Sequence, residues 1–570
     1  PLPPGLPKAF LQAATGGPGG IDPLEDLVGR YARAHGPFTS EEAARRFGIA
    51  STGVDRVLKG LAARGRVLEG AFRPSGPVGD AREWCDSEVL RRIRIRSLAI
   101  LRQQIEPVEP QTFARLLTHW QGVVNPRGGP RTSLDALLDA VESLEGAPLV
   151  ASVLESEILP ARVRGYRPGD LDTLLAAGEV SWCGVEPLGD RDGRVALYLA
   201  YHLEELLQPR GGAPSAGLWA RGRGKRNTTG QSPTSDPRSG LILEFLRQNG
   251  ASFFIAIHQA AGGGYSTETI DALWDLVWQG LVTNDSFSAL QAFLERPRRR
   301  RGAASAPTHS RRADRSAAVT PARARGRWGL VEPRLAATSL PTDRASALAR
   351  SLLHRYGVLV REAPAAEAVV GGFSAVYPVL KAMEESARVR RGMFVAGLGA
   401  TQFTEPAALE LLRSLVQEPE TPEVIELAAT DPANPWGALL KWPESEATLS
   451  RTAGASVIMM NGMLAAFVRS GNPEIQVFLP EAEPGRSRMA RAVADALHRR
   501  AQREHARTAE ERELGLRRDH RRGLLISKIN GLAASMHPLA HFLQQAGLVA
   551  GALGYHLPRH SREVSRTAGG

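Results

Sequence analysis

The 570-residue chain is short of several things, and each shortage narrows the reading. It has two cysteines, Cys85 and Cys183. Two cannot build a disulfide framework, and no CxxC metal pair exists. Each reads as a small buried apolar residue in a reducing, cytoplasmic compartment. No run approaches the roughly 18 apolar residues of a transmembrane helix. No GxxxxGK[ST] loop occurs. The nearest string, GRGKRN (222–227), lacks the first glycine and places Arg226 where Ser or Thr would bind Mg²⁺. No DEAD or DEAH box occurs either, so ATP hydrolysis is not expected of these residues. The opening PLPPGLPKAF has no initiator Met, basic n-region or long apolar run. It reads as a segment of a longer protein, without a signal peptide.

The net charge of +11 is unevenly spread. Residues 296–327 hold eleven Arg and one Asp, and residues 209–238 hold five Arg, one Lys and one Asp. Without them the remainder carries about −4. Both stretches are rich in Gly, Pro, Ser and Arg, a composition that cannot bury enough apolar surface to offset ordering entropy. They read as basic linkers that attract phosphates without sequence preference.

An internal repeat is the most informative signal. Four times a helix ends near a glycine, a short extended piece follows, and two more helices lead into a β-rich segment. The first elements are ARAHGPFT (32–39), LEGAPLVA (144–151), RQNGASFF (247–254) and HRYGVLVR (354–361). The third helices fall in 54–70, 171–184, 270–285 and 376–392, with apolar residues at helical spacing such as Val54, Val57, Leu58 and Leu61. Thr39 with Glu42 has capping-box spacing. Helix–turn–helix plus a β-hairpin is a winged helix. The helical stretch 82–123 is a candidate part of a fifth module. After about residue 422 the pattern turns to short β-runs, with Asn461-Gly462 and Asn530-Gly531 as tight turns. The Arg-rich residues 486–522, with twelve Arg against six acids, read as a solvated helix or subunit contact first and a nucleic-acid surface second.

The expected fold is α+β and mainly helical: a tandem array of four to five winged-helix modules followed by a small β-barrel. The expected boundaries are a winged helix at 1–81 and a helical segment plus winged helix at 82–208. A basic linker follows at 209–238, a winged helix at 239–295 and an Arg-rich linker at 296–327. A winged helix at 328–421 precedes a β-barrel module with an inserted Arg-rich helix at 422–570.

Several strings in order resemble the Lhr (large helicase-related) helicase family. They are PLPPGLPKAF, REWCDSEVLRRIRIRSLA (82–99), GRWGLV (326–331), GGFSAVYPVLKAMEESARVRRGMFVAGLGATQF (371–403) and LAATDPANPWG (427–437). The resemblance implies the C-terminal, non-motor region of an ATP-dependent 3′-to-5′ DNA translocase that unwinds RNA:DNA hybrids. It further implies winged helices plus a β-barrel, fold kinship with AlkZ-type DNA glycosylases and assembly as a homotetramer. The implied partners are a second copy of the chain, DNA, an RNA:DNA hybrid and the protein's own helicase core. ATP and Mg²⁺ belong to that core, so no cofactor is expected here, and no membrane.

In a DNA-reading winged helix the third helix enters the major groove and the wing touches backbone. The first module carries Arg56, Lys59, Arg64 and Arg66 there; the fourth carries Ser374, Tyr377, Lys381, Arg388, Arg390 and Arg391. The second has no basic residue in LDTLLAAGEVSW, and the third has Asp271, Asp275 and Asp285. Those two read as scaffold. A DNA glycosylase is the alternative, with Asp431 as its candidate catalytic carboxylate; an ordinary Asp-Pro turn competes with that role. A winged-helix transcription regulator is the second alternative. His537 and His541 are one helical turn apart without a third ligand, so no metal site is expected. Trp274 and Trp278 share that spacing and read as core.

Overall fold

The computed structural model describes residues 22–73, 82–103, 106–124, 133–207, 237–295, 320–331, 341–399, 401–513 and 523–558. GRGKRN, PLPPGLPKAF and most of both basic linkers lie outside these residues. The chain divides into two compact units, Pro1–Glu106 and Pro107–Gly570.

The first unit holds one winged helix. Its helices are Pro23–Ala34, Ser40–Phe47 and Ser51–Ala63. Thr39 Oγ1 accepts from the Glu42 amide at 3.2 Å, and Glu42 returns a carboxylate to the Thr39 amide at 2.8 Å. This is the capping box that the spacing predicts. Gly48 ends that helix in the left-handed region, φ 65°. Val54, Val57, Leu58 and Leu61 pack on Val28, Ala32, Phe38 and Trp84. The sheet runs Phe38–Thr39, Glu83–Asp86, Val67–Gly70. Its central strand lies beyond residue 81, so the module reaches past the expected boundary. Strand pairing joins residues far apart in sequence, and a local pattern does not reveal the partner.

The second unit holds three more three-stranded modules. The second has helices Ser133–Leu144, 151–162 (with a π-helical turn at Leu154–Ile158) and Pro168–Ala177, and strands Leu149–Val150, Val180–Pro187 and Gly193–Leu199. The third has helices Pro237–Asn249, Phe254–Ala260 and Ser266–Trp278. Its sheet takes its middle strand, Arg327–Leu330, from beyond the Arg-rich linker, between Ser252–Phe253 and Val282–Asn284. GRWGLV therefore completes the third module and does not begin the fourth. The insertion interrupts a wing, and its composition mimics a domain boundary. The fourth has helices Pro341–Tyr356, Glu362–Ala366 and Phe373–Glu385, and strands Val358–Leu359, Gln402–Thr404 and Arg390–Gly392. The 82–123 stretch forms two helices, Ser87–Gln103 and Pro110–Trp120, one in each unit.

Among the described residues the C-terminal strands form an open six-stranded sheet and a small three-stranded one, and no closed barrel is found. The order of the six-stranded sheet is Val424–Ala428, Ala455–Met460, Met463–Arg469, Glu474–Val477, Lys528–Ile529, Leu532–Ala533. Asn461 and Asn530 sit at φ 50° and 49°, each followed by a positive-φ glycine, so both expected Asn-Gly turns close hairpins. The two end strands do not pair with each other, which leaves the sheet open. The helix Gly485–Glu513 buries Met489, Val493, Ala494 and Leu497 against this sheet.

The second and third modules share one core. Trp182 stacks on Trp274 with ring centroids 6.4 Å apart, and Trp274 stacks on Phe293 at 4.5 Å. Trp274 and Trp278 are 2% and 8% exposed, in keeping with their reading as core. Cys85 and Cys183 are buried as well. The fusion depends on two glycines in the second module's wing. A Cβ on Gly184 would strike the Val277 carbonyl, and one on Gly193 would strike the Trp278 ring. Gly184→Ala should therefore lower stability by about 1–3 kcal/mol, because the obstacle is backbone and cannot rotate away. Gly240→Ala, with open space around it, is the control. An unchanged denaturant midpoint for Gly184→Ala would refute the close approach.

Candidate nucleic-acid interface

The third helix of each module is where a winged helix would read DNA. In the first module this helix, Ser51–Ala63, buries its Val54/Val57/Leu58/Leu61 face and leaves Arg56 and Lys59 exposed on the other. Neither forms an ion pair among the described residues. Arg66, also exposed, opens the wing. Arg64 differs, since it bonds Glu25 at 2.5 Å. Arg73 holds the base of this wing: it donates to both Glu42 oxygens, at 2.9 and 2.7 Å. Those bonds hold the Glu42 carboxyl at about 2.

In the fourth module the helix Phe373–Glu385 exposes Ser374 and Lys381, and the wing exposes Arg388 and Arg390. Lys381 lies 4.0 Å from Glu385, an exposed and weak pair. Tyr377 and Arg391 are half-buried and face each other. The Arg391 guanidinium lies 5.9 Å from the Tyr377 ring centroid and 6.0 Å from that of Phe403. These two brace the helix against the wing, while the four exposed residues remain open to a ligand.

The other two third helices are different. Ser266–Trp278 is covered by the second module's wing, with Leu273, Trp274, Leu276 and Val277 buried. Thr283 donates its hydroxyl to the Trp182 carbonyl, and Asp172 of the second module's third helix accepts from the Phe287 amide at 2.6 Å. One module's wing and the other's third helix are thus spent on each other.

Asp431 is placed by a turn after Val424–Ala428 and is 0% exposed. Its Oδ1 and Oδ2 accept from Arg162 Nη2 and Nη1 at 2.7 and 2.9 Å. Oδ1 also accepts from the Ala433 amide at 2.7 Å. Arg162 is equally buried; it donates to the Ile158 carbonyl at 2.9 Å and to Gln121 Oε1 at 2.6 Å. Gln121 passes the connection to the Arg355 carbonyl at 3.0 Å. Arg355 in turn donates to Glu367 and to the Glu145 carbonyl. Arg451 donates to the Asp431, Asn434 and Trp436 carbonyls at 3.0, 2.6 and 3.1 Å. Burial lowers its pKa to about 10. The carboxylate put forward as catalytic is therefore an ion-pair partner inside the fold. Both its oxygens accept hydrogen bonds and it is closed off from the surface. Nothing in PARVRG (160–165) separates Arg162 from a surface arginine, so the sequence reading missed it.

The residues around His537 are a second omission. A cavity of about 640 Å³ opens between the C-terminal sheet, the start of the Gly485–Glu513 helix and the His537-Pro538 turn. His537 Nδ1 accepts from the Leu539 amide at 3.1 Å, whereas His541 engages Gln545 at 2.8 Å. The two imidazoles are held by different partners, and no cluster of metal-ligand type occurs among the described residues. No helix among the described residues is long and apolar enough to cross a membrane.

Breaking the Arg162–Asp431 pair should unfold the second unit readily. Asp431→Asn or Arg162→Met should each cost about 3–5 kcal/mol, because the remaining partner stays buried and uncompensated. Denaturant melts of the full chain test this. A loss below about 1 kcal/mol, near the ceiling for exposed pairs, would show that the pair is not sealed.

Two segments of the chain match the model described as large helicase-related protein, winged-helix domain: residues 108–200 and 338–424. These are the second and fourth modules. A curated relative from Mycolicibacterium smegmatis, named Lhr helicase/probable uracil glycosylase, is 38% identical over 505 residues. That match covers 85% of this chain and 31% of the relative. The Lhr helicase/uracil glycosylase of Escherichia coli is 32% identical over 586 residues, covering 96% of this chain and 34% of its own length. Among solved structures, the Streptomyces sahachiroi DNA glycosylase AlkZ aligns at TM-score 0.41 and 14% identity, over 68% of this chain and 96% of its own. The chain spans about a third of the length of the curated relatives it matches. With two family-specific winged helices in place and the likeness running across most of its length, the chain belongs to the Lhr family.

Proposed function

We propose that this region is the non-motor, nucleic-acid-holding part of an Lhr-type protein in DNA repair. One observation carries the reading: the two third helices that bear exposed basic residues are those left open, in the first and fourth modules. The acidic one is buried as scaffold. In the whole protein such a region would grip DNA, or an RNA:DNA hybrid, beside an ATP-driven 3′-to-5′ motor core. Assembly as a homotetramer would multiply the grip by raising effective concentration. A sequence-reading regulator would need two equivalent recognition helices at half-site spacing, and the two open helices here belong to different modules and carry different residues.

Duplex binding measured against salt tests the reading. Each phosphate contact contributes about 0.9 to the slope of log K against log salt. Arg56→Ala with Lys59→Ala should lower the slope by about 1.8. Arg388→Ala with Arg390→Ala should do the same. Asp271→Asn, on the scaffold helix, should leave it unchanged. Equal slopes in all variants would defeat the proposal.

A second reading, glycosylase activity, is favoured by the cavity beside His537 together with the names of the two relatives. Removing a base needs a pocket that accepts it outside the stack. The carboxylate serving it would not be Asp431, which is sealed. The expected result is uracil release from uracil-containing DNA. Product no higher than a heat-killed control would end this reading.

A further inference from the structure

The cavity beside His537 is lined mainly by apolar side chains, with Glu481, Arg486 and His537 also in the lining. Met463, Phe478, Leu479 and Met489 supply apolar surface, Arg486 a positive charge, Glu481 a negative one and His537 an imidazole. Its volume of about 640 Å³ is that of a small-molecule site and far below a duplex. Asn530 closes one wall, its amide spent on the Val477 amide and carbonyl at 2.8 Å each. Arg486 is held by the Pro480 carbonyl at 3.1 Å and by that of Glu481, so its charge is fixed in place.

His537 brings a directed donor. Its Nδ1 accepts the Leu539 amide hydrogen, which leaves the neutral ring with its proton on Nε2. Burial lowers the imidazole pKa and so favours that neutral form. Among the described residues Nε2 has no hydrogen-bond partner. The helix that supplies Met489 also exposes Arg488 and Arg491 on its outer face. Among the described residues neither forms an ion pair, whereas Arg500 and Arg503 of the same helix are neutralised by Glu426. Asp495 lies one turn beyond Arg491 and trims the charge of that stripe, which resumes at Arg499.

An apolar slot, one fixed donor and adjacent free guanidinium groups match the parts of a nucleotide. We propose that this cavity takes a single unpaired nucleobase of a nucleic-acid strand, with Arg488 and Arg491 on the flanking phosphates. Soft methionine and phenylalanine faces hold the ring, and the His537 Nε2–H meets a ring carbonyl or nitrogen. The site adds a single-strand contact to the winged-helix faces. It rests on the nucleic-acid reading but not on base removal.

Photocrosslinking of the full chain to a single-stranded oligonucleotide carrying 5-iodouracil tests it, with crosslinked peptides mapped by mass spectrometry. The expected crosslinks contain Met463, residues 478–489 or His537. Met463→Trp, which fills the slot, should reduce crosslinking there about five-fold or more, the scale of losing one stacked base. Should that variant fail to fold, His537→Ala carries the same expectation. Arg488→Ala with Arg491→Ala should lower the salt slope for the oligonucleotide by about 1.4, at about 0.7 per single-strand contact. Crosslinks confined to the winged-helix modules, or an unchanged slope, would overturn this site and leave the nucleic-acid reading standing. Absence of oligonucleotide and duplex binding would overturn both.

Discussion

Arg162 and Asp431 face each other with neither side chain exposed, and three parts of the second unit meet around them. Arg162 belongs to the second module, Asp431 to the turn after the first strand of the C-terminal sheet, and Gln121 hands the network on to Arg355 in the fourth. Two ions out of water are expensive, and only excellent geometry offsets the cost. Here the geometry is a two-point fork, and Asp431 has a further amide at Oδ1. Such a pair contributes less to net stability than to choice of arrangement. An apolar patch tolerates sliding, whereas a guanidinium displaced from its carboxylate leaves a bare charge. The modules are thereby held to one mutual placement.

The same logic separates scaffold from reader. A winged helix offers two surfaces to DNA, its third helix and its wing. In the second and third modules these surfaces cover each other, through the Trp182–Trp274 stack and the two glycines that admit Val277 and Trp278. A helix that carries Asp271 and Asp275 and lacks cations gains nothing from meeting phosphates, so burying its apolar face costs no affinity. The first and fourth modules keep their third helices open, and the exposed positions there include Arg56, Lys59, Ser374 and Lys381.

Much of this was legible in the sequence where the signal is local. Thr39 and Glu42 announce a helix start by spacing alone, and Asn461-Gly462 and Asn530-Gly531 announce turns by backbone conformation. The lack of cations in Ser266–Trp278 agrees with that helix lying against the second module's wing. Signals of long range were not legible. Glu83–Asp86 and Arg327–Leu330 complete sheets whose other strands lie across insertions, and composition made those insertions look like boundaries. The β-barrel is not found among the described residues for a related reason: strand content does not show whether the last strand returns to the first. Asp431 was picked out for its chemistry, yet its partner is 269 residues away in sequence.

Burial also decides what each charged group can do, and it sorts the arginines of this arginine-rich chain into classes that composition cannot separate. Arg162 and Arg355 are interior cross-links that satisfy carbonyls and carboxylates. Arg115 does similar work on a smaller scale, bonding the Leu415 and Gln417 carbonyls and the Glu423 carboxylate. Burial alone would push the Glu423 carboxyl up. Hydrogen bonds from Arg115 and His119 more than reverse this, so the net shift is downward. Arg500 and Arg503 are neutralised at Glu426. Only what remains, including Arg56, Arg388, Arg390, Arg488 and Arg491, is free to meet a phosphate without first breaking a contact. Guanidinium suits both tasks because its planar fork bonds a buried carboxylate and an exposed phosphate by the same two-point geometry. The total charge of the chain is therefore a poor guide to its affinity for nucleic acid, and the placement of each unpaired cation is the better one.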